Sequence, residues 1–238
     1  SIGAGVSGGE GKDRTRFGLF NGLRKHDTNG MLDFNYSNKD AATGRWMTLE
    51  GRNLFLDNRE FGYTYRNLGD FRLKLDYSEI TRHDPRTINT SLSGIGTTNQ
   101  VVSLLATPGT GTDQNLELKR KGLGFDLQKR FGNFEVEVTF KNEDKSGSRL
   151  WGRGFACNTT TYVVAGACSA ALANASAVMF LPEPVDSTIR QFEAKLNYAG
   201  EKLRLSGGYY GNFYTNNFGS LNPSIPGGVL GDLNGGVQ

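Results

Sequence analysis

The stretch Asp70-Phe-Arg-Leu-Lys-Leu-Asp-Tyr-Ser78 places Phe71, Leu73, Leu75 and Tyr77 at alternate positions, with Arg72, Lys74, Asp76 and Ser78 between them. Side chains on a strand point to opposite faces in turn, so this segment has one apolar surface and one charged surface. The same period returns as Phe134, Val136, Val138 and Phe140 against Glu135, Glu137, Thr139 and Lys141. It returns again as Phe192, Ala194, Leu196 and Tyr198 against Glu193, Lys195 and Asn197, and as Leu203, Leu205, Gly207 and Tyr209 against Lys202, Arg204, Ser206 and Gly208. No segment sustains a helical period over a dozen residues. The reading is all-β.

Working outward, the pattern predicts nine strands in a single domain over 1–238, at about 1–7, 30–39, 44–53, 59–67, 70–83, 116–130, 133–144, 187–199 and 201–217. Leu116 and Leu118 are out of phase with Leu123, Phe125 and Leu127, which a bulge or kink near Gly122 and Gly124 would absorb. Tight turns fall at Leu68-Gly69, Gly132 and Gly200. Long insertions, about 84–115 and 145–186, separate those hairpins. Short turns alternating with long polar loops are the pattern of an outer-membrane barrel, with short turns periplasmic and long loops extracellular.

Soluble sandwiches and jelly rolls also alternate, so alternation alone does not choose between them. The charges do. A dry core does not accommodate Arg72, Lys74, Asp76, Glu135, Glu137, Lys195 and Arg204 on one face, whereas a wet or protein-filled lumen contacts them while the apolar face meets lipid. These seven residues are therefore the expected lumen-facing partner contacts. The expected fold is an antiparallel transmembrane β-barrel of outer-membrane type. Nine is odd, and bacterial single-chain barrels close on an even number. The sequence also ends in Gly- and Pro-rich residues rather than a last aromatic-terminated strand, so the expectation is part of a larger barrel.

Composition is consistent with this and excludes other classes. Hydrophobic residues make up 37% of the chain and charged residues 21%, and the mean hydropathy is -0.46. The longest apolar run, Ala177 to Leu181, falls far short of the roughly 18 residues of a membrane helix. Thirty-three glycines in 238 residues is about twice ordinary usage, but six prolines exclude a Pro-rich linker. Lys and Arg number 27 and Asp and Glu 24, with the signs interspersed. No run of like charge supports nucleic-acid binding. No secretory signal is recognisable at Ser1, as expected of a mature or trimmed chain, or of a cytosolic one.

Few residues invite chemistry. Cys157 and Cys168 lie in the second long loop, where two cysteines of an exported chain are expected to pair as a disulfide. Closing that loop would restrict the unfolded chain by roughly 3 kcal/mol in the chain-entropy picture. Free thiols and metal ligation are the alternatives, although two cysteines without neighbouring His or Cys make a poor metal site. His83, beside Arg82 and Asp84, reads as a solvated strand end, because a catalytic role would need a second group that the sequence does not place. No catalytic, cofactor or metal residue is assigned, and an enzyme is not expected. No Cys-x-x-Cys-His is present, so the chain attaches no haem of its own. Trp46, Tyr63, Tyr65, Phe71, Tyr77, Trp151, Tyr198 and Tyr209 lie in or beside strands, where a barrel uses aromatics as interfacial girdles.

Two further segments carry a resemblance. Arg16-Phe-Gly-Leu-Phe-Asn-Gly-Leu23 and Leu49-Glu-Gly-Arg-Asn-Leu-Phe-Leu-Asp-Asn-Arg-Glu60 resemble the N-terminal signature of the MtrB/PioB family of decahaem-associated outer-membrane barrels. The matching positions are Arg16, Phe17, Gly18, Asn21, Gly22 and Leu23, then Gly51, Arg52, Asn53, Leu54, Asp57 and Arg59. Leu68 to Ile80 looks like the family's next strand pair. The resemblance is specific over about residues 1–85 and architectural beyond. Some members carry a Cys-x-x-Cys near the N-terminus, and this chain has none.

The resemblance implies location in the bacterial outer membrane, with lipid around the barrel. It also implies a division of labour in which the barrel encloses a periplasmic multihaem c-type cytochrome and often docks a second multihaem cytochrome outside. Electrons would cross along haems carried by the partner while the barrel holds and insulates them. The competing expectation is a diffusion or substrate-specific porin. An outer-membrane protease or lipase lacks a recognisable Ser/His/Asp arrangement here.

Overall fold

The alternating segments fold as antiparallel strands. The computed structural model describes residues 1–7, 16, 18–20, 23, 27–103, 107, 109–157, 176–224 and 228–230, with backbone only at 155–157, 176–177 and 228–230. Within these lie β1 (Ile2–Ser7), β2 (Asp27–Leu32), β3 (Phe34–Asp40), β4 (Arg45–Arg52), β5 (Glu60–Asn67), β6 (Phe71–Thr90) and β7 (Asn99–Val101). They continue as β8 (Thr112–Phe131), β9 (Phe134–Cys157), β10 (Ser176–Ala199), β11 (Arg204–Asn216), β12 (Asn222–Ser224) and β13 (Gly228–Leu230). No helix among the described residues is long and apolar enough to cross a membrane, which says nothing of strands.

The main sheet runs β11-β10-β9-β8-β6-β5-β4-β3, and β13 pairs with the far end of β9. It is not closed: β3 and β11 are its two edges. Hairpin turns join β5 to β6 and β8 to β9, and both use glycine in the left-handed region, Gly69 at φ 81° and Gly132 at φ 58°. A side chain there would crowd the following carbonyl, which is why these turns are so short.

Four expectations are corrected. The first expected strand stays outside the main sheet and pairs only with β2. The expected strand 30–39 is broken at Asp33 into β2 and β3. There the carboxylate of Asp33 accepts the Asn53 N–H (2.6 Å), its own N–H goes to the Ser1 carbonyl (2.9 Å), and its carbonyl accepts from the Ser1 ammonium (2.6 Å). The ladder therefore changes partners at that residue. The odd strand count thus loses its basis, because the main path holds eight strands and β13 makes the ninth of the sheet. The open edges at β3 and β11 stand independently of that count.

The long insertions are also shorter than expected. β6 continues to Thr90 and β8 begins at Thr112, and β9 continues to Cys157 while β10 begins at Ser176. The apolar period lapses in these extensions, which contain Pro85, Pro182 and Pro184, residues that ordinarily mark strand ends. Finally, the register leaves no room for a bulge at Gly122 and Gly124. Arg130 N–H bonds the Asp70 carbonyl at 2.8 Å, Gly124 faces Asp76 and Gly122 faces Ser78, all in one register. The glycines instead make room, since a Cβ on either would overlap the carboxylate of Asp76 or the hydroxyl of Ser78.

The chain divides into two compact units. Unit 1 comprises 1–83, 119–145 and 187–216. Its apolar residues share one face by register: Tyr36 opposes Leu49, Leu49 opposes Tyr63, Tyr63 opposes Leu75, and Ala194 opposes Tyr209. Among the described residues no second layer packs against these side chains. Leu123 is 53% exposed, Leu196 49% and Tyr209 61%.

Unit 2 comprises 84–118, 146–186 and 217–238. It contains every buried hydrophobic side chain found among the described residues, Leu92, Leu116, Met179 and Leu181. Gln100, fully buried beside them, donates through Nε2 to the Pro182 carbonyl (2.8 Å) and the Thr97 carbonyl (3.1 Å). Arg149 grips Glu183 with both Nε and Nη2. Thus Leu116, out of phase in the sequence, is a core residue of unit 2.

Candidate functional site

Unit 1 presents two faces of opposite character, and its functional residues follow from which face each strand position takes. On the apolar face, aromatic residues recur six positions apart: Phe71 and Tyr77 on β6, Phe134 and Phe140 on β9, Phe192 and Tyr198 on β10. Six residues span about 20 Å along a strand. Rings meet across strands at both levels, Tyr65 with Phe71 (6.0 Å) and Phe134 with Tyr198 (5.0 Å) near the tight turns, Phe34 with Phe61 (6.4 Å) further away. Two aromatic rows bracketing Leu73, Leu75, Val136, Val138, Ala194 and Leu196 match the girdles and hydrocarbon band of a membrane barrel. Trp46 departs from that expectation. It lies opposite Arg66 on the other face, with the Lys39 ammonium 5.3 Å from its ring.

One step beyond the far aromatic row, the apolar face turns polar at Glu79, Lys121, Asn142 and Arg190 on β6, β8, β9 and β10, and at Arg59 just before β5. Glu79 has a side chain only 3% exposed. It accepts from Arg59 Nη2 (2.9 Å), Tyr77 Oη (2.7 Å) and Lys119 Nζ, so the carboxylate is buried only with its charge shared between two cations. This row marks where the band suited to hydrocarbon stops.

The second signature segment shapes the connection between β4 and β5. Asn53 takes φ 52°, a conformation that asparagine tolerates better than most residues. Leu54 N–H bonds the Leu32 carbonyl (3.1 Å), Asp57 meets His83 Nε2 (3.0 Å), and Arg59 holds Glu79. At Gly51 a Cβ would come within 2.5 Å of the Phe34 ring. Arg52 contacts Glu50 at 3.6 Å. Of the first signature segment, Arg16, Gly18 and Leu23 are described, and the Leu19 carbonyl between them accepts the His83 N–H (2.8 Å). Phe17, Asn21 and Gly22 lie outside the described residues. Both segments therefore meet β6 at His83.

The charged face carries the expected contact residues. Arg72 Nε faces Asp126 Oδ1 at 3.9 Å, Lys74 meets Asp76 at 3.3 Å, and Lys195 meets Glu193 at 2.6 Å. Glu135 accepts from Arg130 (2.8 Å), and Glu137 accepts weakly from Gln128 (3.5 Å). Arg204 opens β11 opposite Ala199 and is exposed. The structure thus places Arg72 on β6 and Glu135 and Glu137 on β9, on either side of β8, with Lys195 and Arg204 on β10 and β11. Exposed pairs of this kind contribute little to stability, so their value lies in what they present. In the turn beyond β3, the hydroxyl and N–H of Thr43 and the N–H of Ala42 hold the Asp40 carboxyl below the usual carboxylate range.

Sequence reasoning passed over Arg66, Asp126, Gln128, Arg130 and Glu193. Arg66 alternates with Tyr63 and Tyr65 on β5, a signal that was legible. With Arg72, Arg130 and Glu135 it lines a cleft of about 230 Å³ next to the turn 68–70. Cys168 lies outside the described residues, as does the side chain of Cys157, so the expected disulfide falls there too.

Comparison with known proteins agrees with this geometry. A family model described as outer membrane beta-barrel porin, MtrB/PioB, matches residues 10–229, well beyond the N-terminal region where the resemblance was specific. Outer membrane protein MtrB of Shewanella baltica (strain OS185) is 23% identical over 206 residues, which cover 81% of this chain and 27% of that protein. The chain spans about a quarter of the length of this curated relative.

Proposed function

Because the chain belongs to the MtrB/PioB family of outer-membrane β-barrel proteins, we propose that it forms part of a barrel wall that encloses a multihaem c-type cytochrome and so supports electron transfer across the bacterial outer membrane. The observation that carries this reading is the charged face. Arg72, Lys74, Asp76, Glu135, Glu137 and Lys195 carry both signs and stand opposite an apolar face that no second layer covers among the described residues. A surface of both signs suits a wet, polar protein contact better than the single-sign ring of an ion filter. The wall's role is non-catalytic, and the haems belong to the partner. A second multihaem cytochrome would dock at the outer end. A diffusion or substrate-specific porin is the second reading, favoured by the word porin in the family's description.

Barrel size bears on the same proposal. Barrels of about sixteen to eighteen strands leave an aqueous channel, and those of about 22 hold a plug. The eight strands of this path are too few to surround a cytochrome, and β3 and β11 each offer an unpaired edge. Further strands would pair with both.

The test is a haem stain and mass analysis of whatever co-purifies with the detergent-extracted full-length protein. A stoichiometric multihaem cytochrome is expected, and a haem-free barrel of full conductance would establish the porin reading instead. Orientation is checked separately. With the tight turns periplasmic, the segment 91–111 is extracellular, and exposed Ser93 lies in it. Ser93→Cys in a Cys157→Ser/Cys168→Ser background should react with a membrane-impermeant thiol reagent on intact cells. Reaction only after the outer membrane is broken would reverse the topology.

A further inference from the structure

Arg66 and Arg72 stand directly opposite each other on β5 and β6. Like charges in that position destabilise a strand pair, and nothing in the pattern of the fold requires two arginines there. Arg130 of β8 opens into the same cleft of about 230 Å³ beside the turn 68–70. The carboxylates around it do not balance the three guanidinium groups. Asp70 is taken by Lys129 Nζ at 2.6 Å, and Glu135 is already engaged by Arg130 at 2.8 Å. Among the described residues Arg66 makes no ion pair. The Arg72 Nε is buried without a hydrogen-bond partner, because Asp126 at 3.9 Å is beyond hydrogen-bonding reach.

We propose that this arginine cleft is a carboxylate-binding site, taking acidic side chains of the protein that occupies the barrel. A guanidinium is a planar fork of donors matched to the two oxygens of a carboxylate, and Arg is the residue used where such pairing must be both strong and oriented. One incoming carboxylate between Arg66 and Arg72 bridges the exposed nitrogens of the two guanidinium groups and converts a repulsive cross-strand pair into a bridged one. The cleft adjoins the tight turns, so it meets the partner at the end of the barrel through which a periplasmic protein enters. The inference rests on the cytochrome reading above and adds the chemistry of the contact.

The experiment uses the full-length barrel with its co-purified haem protein, and reads the haem-to-barrel ratio after a wash in high salt. Arg66→Gln/Arg72→Gln should lower that ratio by about tenfold or more, the scale expected when one side of a desolvated charge pair is truncated. Arg66→Lys/Arg72→Lys keeps the charge but loses the fork, and should fall between. Arg86→Gln/Lys121→Gln removes as much positive charge at exposed sites away from the turn end of the charged face and should leave the ratio unchanged. Heat-modifiable gel mobility reports whether each barrel is folded. If the Gln variant does not fold, the Lys variant carries the test. A folded cleft variant with the haem ratio of the control overturns the carboxylate site while leaving the cytochrome reading intact. A wild-type barrel that brings down no haem protein overturns both.

Discussion

Proteoliposomes containing the complete barrel with its haem protein should reduce or oxidise an enclosed dye through an external redox partner, and omitting the haem protein should abolish the transfer. The expectation is all-or-none because every haem is proposed to sit on the partner, in keeping with the lack of a Cys-x-x-Cys-His in this sequence. The same vesicles should pass few ions, since a protein lying against Arg72, Lys74, Asp76, Glu135 and Lys195 displaces the water through which ions would move. Conductance and electron transfer are then reciprocal. Large ionic conductance from the natural complex, with no haem protein bound and no dye reduction, would defeat the proposal and identify a porin.

The second large effect tests which face meets lipid. Val136→Arg should cost roughly 2–4 kcal/mol of folding stability in bilayers, the depth-dependent cost of a cation near the midplane of the lipid face. Val136 lies between the two aromatic rows on β9, with Phe134 on one side and Phe140 on the other. Its neighbour Glu137 points to the charged face, where its contact with Gln128 is a long 3.5 Å. Glu137→Val should therefore stay within about 0.5 kcal/mol, as exposed substitutions usually do. Urea titration of both variants folded into lipid vesicles, read by gel mobility, compares them directly. Equal tolerance on the two faces would mean that the apolar face is not solvated by lipid.

The two faces were legible because the strand period is two and the segments are long. From Phe71 to Tyr77, from Phe134 to Phe140 and from Phe192 to Tyr198 every alternate residue is apolar, and every residue between is charged or polar, which a dry core does not accommodate. The hairpins were legible for a related reason, since Gly69 stands where a three-residue turn, and Gly132 where a two-residue turn, needs a left-handed backbone.

Failures occurred where that period lapses. Beyond Thr81 and Lys141 neither face must match hydrocarbon, so the strands continue without an apolar rhythm and Pro85, Pro182 and Pro184 read as loop. The backbone ladder holds those extensions, and it leaves no trace in side-chain pattern. Leu116 looked like a phase error because only the folded chain shows it buried in unit 2, as Leu92, Met179 and Leu181 are.

The sequence by itself therefore determined the class of the fold, the two-faced sheet, its tight turns and the membrane in which it belongs, because these depend on local alternation and on residues a few positions apart. Tertiary structure alone decided which strands pair, where Asp33 breaks the ladder, and that Arg66, Arg72 and Arg130 share one cleft. Those depend on register between strands, and register places together residues as much as 64 positions apart in the chain (Arg66 and Arg130) that no local pattern connects.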